Sequence, residues 1–71
     1  MAEPIVLVDY EFHYSSGAID VVEVDEARDL RDDDDEHIII TRIIDPQTTE
    51  TTRVRRDKLD FWRYIRREVE Q

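Results

Sequence analysis

The sequence predicts an α+β domain of ββββα order: a four-stranded, mainly antiparallel sheet with one C-terminal helix packed on one face. Three observations carry this. Residues 5–14 and 37–44 are dense in β-branched and aromatic side chains. The only glycine, Gly17, falls between two such runs, where a hairpin needs positive φ. Leu59, Trp62, Ile65 and Val69 recur at spacings of three, three and four, the apolar stripe of an amphipathic helix.

Taken in order, residues 5–14 place Val6, Val8, Tyr10, Phe12 and Tyr14 on one face of a strand and Ile5, Leu7, Asp9, Glu11 and His13 on the other. Ser15-Ser16-Gly17 turns the chain, and residues 18–25 return it. Two registers compete. A two-residue Ser16-Gly17 loop sets Phe12 opposite Val21; a three-residue loop with Gly17 as the bulge residue sets Val8 opposite Val24 and Tyr10 opposite Val22. Residues 26–36 form an acidic connector, in which Asp32 to Glu36 is an exposed loop because like charges repel. Residues 37–44 are apolar on both faces, as a central strand is. Residues 45–49 turn at Pro46, and the polar run 50–56 suits an edge. Asp57 is an N-cap for the helix 57–70. One helix covers one face of such a sheet. Ile5, Leu7, Ile39 and Ile43 then lie on a second apolar face that a second copy of the chain would hide.

A chain of 71 residues makes a single small domain and excludes the larger enzyme folds that surround a pocket with crossover helices. The absence of Cys removes disulfides, thiolate zinc sites and cysteine nucleophiles. The N-terminal Met1-Ala2-Glu3-Pro4 lacks the basic lead of a signal peptide, and no apolar run approaches a bilayer span. These features point to a cytoplasmic protein, in host cytoplasm if the source is viral. His13 and His37 are the only imidazoles, with no third convergent group to suggest a metal or catalytic centre. The acid run lacks the glycine that a calcium loop needs for its bend. Ser15 and Ser16 lack a nucleophile elbow, and so short a chain leaves little room for a ligand cavity of several hundred Å3. The expectation is a protein that is not an enzyme and carries no cofactor or metal.

Charge gives the function class. The net charge is −9, and residues 1–45 hold 14 acids against 3 bases. Such a field repels nucleic acid and favours a basic protein surface, with the groove of a nucleic-acid-handling protein as the natural case. The basic, aromatic C-terminal run, Arg53 to Arg67, is read as internal neutralisation of the acidic half. Asp20, Glu23, Asp25, Asp32, Asp33, Asp34, Asp35 and Glu36 are the candidate partner-binding residues. In size and charge the chain is similar to the small acidic inhibitors made by bacteriophages that mimic nucleic acid, a likeness of physical type only. The alternative is a small structural or assembly protein, with Ile5, Leu7, Ile39 and Ile43 forming the self-association face of a homodimer. Neither reading involves a membrane or direct binding of nucleic acid.

Overall fold

The computed structural model describes residues 4–70; the acidic Met1-Ala2-Glu3 lies outside them. The chain runs β1 (Ile5–Tyr14), β2 (Ile19–Asp25), β3 (Leu30–Arg31), β4 (His37–Asp45), β5 (Thr48–Arg55), a 3-10 turn (Arg56–Lys58) and β6 (Leu59–Val69). The strands form two three-stranded sheets, ordered β2-β1-β6 and β3-β4-β5. All the pairings are antiparallel.

The expected single sheet with a packed helix is therefore corrected to an all-β arrangement of two sheets, and the α+β class falls with it. The described residues contain no α-helix, and residues 59–69 are the longest strand. The segment satisfies both periods. Its stripe has helical spacing, but Trp62 and Tyr64 also alternate with Phe61 and Ile65. Aromatic and β-branched side chains fit a pleated surface. The deciding contribution is tertiary: β6 pairs with β1 along its whole length, from Ile5↔Val69 to Tyr14↔Leu59. That pairing aligns Arg63 and Arg67 with acids on β1, which a helix laid across the sheet would not do. Asp57 sits in the 3-10 turn and caps no helix.

The β1–β2 hairpin takes the second register, Val8↔Val24 and Tyr10↔Val22. Tyr14 N–H donates to Ala18 O at 2.9 Å, and Gly17 adopts φ 95°. That conformation favours glycine, which explains the one glycine of the chain. As expected, β4 is central and β5 is an edge.

Val8, Phe12 and Val24 of the first sheet form one buried core with Ile38, Ile40 and Val54 of the second. Tyr10, Tyr14, Val22, Leu59 and Trp62 pack around it. Tyr10, Phe12, Trp62 and Tyr64 make an aromatic group with neighbouring ring centroids 5.8–6.3 Å apart. The Arg31 guanidinium lies 4.6 Å from the Trp62 ring centre. Among the described residues six hydrophobic side chains are buried, a small core in which each contributes heavily.

The sandwich also redistributes the second apolar face. The inner faces cover each other. Ile5 and Leu7 lie on the outer face of the first sheet, while Ile39 and Ile43 lie on the outer face of the second. The four residues are divided between the two sheets, and Leu7 and Ile43 line one shallow depression.

Candidate functional site

The acidic run is built into the fold. Asp32 N–H donates to Ile39 O at 2.9 Å, and Asp34 N–H donates to His37 O at 3.1 Å, folding the run back on β4. Asp33 clamps the loop: its carboxylate accepts from Arg31 at 2.6 Å and from Arg56 at 3.0 Å. The Arg31 guanidinium holds the Asp33 carboxyl below its ordinary range, helped by the Ile39 N–H. Asp34 caps the turn, accepting from Glu36 N–H at 2.9 Å and His37 N–H at 2.6 Å. The Glu36 and His37 amides lower its pKa in turn. Two of the five acids are thus structural ties. Asp32, Asp35 and Glu36 are exposed and, among the described residues, have no basic side chain within ion-pair distance.

Two other segments reach the same end of the sandwich through backbone hydrogen bonds. Arg56 N–H donates to Glu36 O at 2.8 Å, and Ser15 N–H donates to Lys58 O at 2.9 Å. The acidic loop, the 3-10 turn and the β1–β2 turn are therefore joined in series. Asp20, opposite Phe12, enters from the hairpin. Its carboxylate adds to burial in raising the pKa of Tyr14. Asp60 is the extra residue of a bulge, where partners shift from His13↔Phe61 to Tyr14↔Leu59.

The candidate partner-binding set divides. Asp20 joins Asp32 to Glu36 at this end. Glu23 lies mid-strand, bound to Arg67 at 2.7 Å. Asp25 is at the far end of β2, opposite Leu7, and shapes a turn by accepting from Ala27 N–H at 3.0 Å. Asp60 was missed because residues 57–70 read as a helix.

Elsewhere the carboxylates are largely committed. Arg67 also binds Asp9 at 3.3 Å, Arg63 binds Glu11 at 3.1 Å and Arg66 binds Glu26 at 3.0 Å. The basic C-terminal run thus neutralises the acidic half within the chain. Glu11 also bonds His13, and that bond, with Arg63 beside it, lowers its pKa. Asp29 accepts from Asp25 N–H at 2.6 Å and from Ile43 N–H at 2.8 Å, tying the two sheets together.

A cleft of about 380 Å3 opens between the sheets near the opposite end. Its size differs from the expectation that so short a chain leaves little room for a cavity of several hundred Å3. Val8, Val24 and Ile40 floor it, Tyr10 and Tyr64 wall it, and Arg31, Arg66, Glu26 and Asp29 line it. These four charged groups already pair with one another or with nearby groups, so the charged part of the lining is committed within the fold.

His13 and His37 lie in different sheets, beside Glu11 and Asp34 respectively. Among the described residues no group of three or more His, Asp or Glu side chains is placed to hold a metal ion. No helix of the described residues is long and apolar enough to cross a membrane. No protein-family model, curated protein or solved structure matches the chain.

Proposed function

We propose that the protein is a non-enzymatic binding module that docks a basic protein surface against its acidic end. The observation that supports this most is the division of labour within the acid run. Asp33 and Asp34 fix the loop, and Asp32, Asp35 and Glu36 are left as uncompensated carboxylates on a held backbone. A fixed array costs less ordering on binding than a loose tail of the same charge. Asp20 and Asp60 extend the array across the neighbouring turns. Closely spaced carboxylates present the charge pattern that a phosphate-binding groove accepts, so the basic site of a nucleic-acid-handling protein is the favoured partner.

The test is capture of cellular proteins by the wild-type chain and by an Asp32→Asn, Asp35→Asn, Glu36→Gln variant, with elution in a salt gradient. The proposal expects a basic protein released at moderate salt from the wild type and not retained by the variant. Identical retention by both chains would remove the acidic end from the mechanism.

A further inference from the structure

Each sheet has two edges, and the edge at β6 differs from the other three. β6 lies at the side of its sheet, and among the described residues no backbone hydrogen bond joins Phe61 to Arg67 with any strand but β1. Such an edge presents unused N–H and C=O groups as a template for another strand, and folds guard edges by brevity or by charge. β3 is only two residues long. β5 is rich in Thr, carries Glu50, Arg53 and Arg55, and exposes no large apolar side chain. β2 exposes Ile19 and Val21 but carries three acids and no base. β6 is 11 residues long and exposes Phe61, Tyr64 and Ile65. Its arginines are drawn back across the sheet instead of guarding the edge. Arg63 binds Glu11, Arg66 binds Glu26, and Arg67 binds Asp9 and Glu23.

We propose that β6 pairs antiparallel with β6 of a second copy across a two-fold axis at Tyr64, joining two three-stranded sheets into one of six strands. Charge and register select this occupant. Each copy carries a net charge of −9, so two copies associate best where acids are few. A β2–β2 edge would bring together Asp20, Glu23 and Asp25 of both copies, whereas β6 offers three arginines against two acids. Residues opposed in an antiparallel pair share a face. An axis at Tyr64 sets the two Tyr64 rings together, with Trp62 opposite Arg66, on the inner face. On the outer face it sets Phe61 opposite Arg67 and Arg63 opposite Ile65. The exposed Phe61 and Ile65 thus gain arginine stems as cover, while the guanidinium heads keep their acids. An axis at Arg63 would set that residue against its own copy, and one at Ile65 would set Arg63 against Arg67. The bulge at Asp60 ends the pairing before Asp60 meets Glu68. This surface is distinct from Ile5, Leu7, Ile39 and Ile43. The antiparallel arrangement points the two acidic ends in opposite directions, so the pairing goes beyond the acidic-end reading and does not depend on it.

The experiment uses the full chain, which has no cysteine, so one substitution supplies one thiol. Tyr64→Cys sets the thiols of two copies directly opposite, at a Cα separation of about 5 Å that a disulfide spans. Arg66→Cys sets them four residues out of register, about 13 Å apart. Both positions are exposed. In a glutathione redox buffer the proposal expects disulfide-linked dimer from Tyr64→Cys about tenfold faster than from Arg66→Cys. Sedimentation of the wild type over a concentration series, at low and high salt, is the second readout. It expects monomer and dimer only, with more dimer at high salt, where the like net charges are screened. Tyr64→Glu opposes two carboxylates at the axis and raises the dimer dissociation constant about tenfold. Equal cross-linking at the two positions, or a wild type that stays monomeric at millimolar concentration in high salt, overturns the pairing. Species that grow beyond the dimer overturn it in favour of head-to-tail contact between β6 and β2.

Discussion

Replacing Asp33 by Ala separates the structural acids from the free ones. Asp33 receives charge-assisted hydrogen bonds from Arg31 at 2.6 Å and Arg56 at 3.0 Å. It also receives a longer bond from Ile39 N–H at 3.4 Å. The Arg31 and Asp33 side chains are 31% and 21% exposed, so the pair is partly shielded from water. Hydrogen bonds to charged groups contribute about 1.5–3 kcal/mol each, and Arg31 keeps its stack on Trp62 after the change. A loss of about 2 kcal/mol follows, placing the midpoint of thermal unfolding about 10 °C lower for a domain of this size. Asp35→Ala, one turn further along, removes a carboxylate with no partner among the described residues and should change stability by no more than about 0.5 kcal/mol. Urea denaturation followed by Trp62 fluorescence measures both. An Asp33→Ala variant as stable as wild type would refute the clamp. An Asp35→Ala variant as damaged as Asp33→Ala would refute the division of the run.

Acid should unfold the chain from the carboxylate side. The pKa values of Glu11, Asp33 and Asp34 are lowered in the folded state, so their stabilisation is complete above the ordinary carboxylate range near about pH 4 and is lost as pH falls through their folded values. Circular dichroism between pH 5 and pH 2 checks this, and a melting temperature unchanged across that window would contradict it. Gly17→Ala should cost about 1–2 kcal/mol from backbone conformation alone, because φ is 95° and nothing stands within 4 Å of the added Cβ. Chemical denaturation measures this loss, and neutrality would mean the turn relaxes to another form. Phe12→Ala should cost about 3–5 kcal/mol, since the side chain is fully buried at the centre of the core. On a core of six residues that loss should leave little folded protein at room temperature, visible as collapsed amide shift dispersion.

Much of the first sheet and the β4–β5 hairpin was legible because their signals are local. Gly17 marked the turn, alternation marked β1, and β-branched density marked β4. β6 was not legible because Leu59, Trp62, Ile65 and Val69 fit one period while Phe61, Trp62, Tyr64 and Ile65 fit another. The choice between them is made by β1, roughly fifty residues earlier in the chain, whose acids and apolar residues accept β6 as a neighbour. The same distance hid part of the site. The run Asp32 to Glu36 stood out as charge, but that Asp33 and Asp34 are spent on structure depends partly on Arg56 arriving after β5. Asp60 stayed hidden because it is the extra residue of a strand bulge in a segment whose apolar spacing reads as a helix.

The most direct test of the acidic-end account is an amide chemical-shift titration of the 15N-labelled chain with a nona-arginine peptide, repeated at two salt concentrations. The account expects the largest changes at Asp20, Asp32 to Glu36 and Asp57 to Phe61, fading together as salt rises. Changes centred on the cleft residues Tyr10, Leu30 and Tyr64, or spread evenly to Glu23 and Asp25, would contradict it.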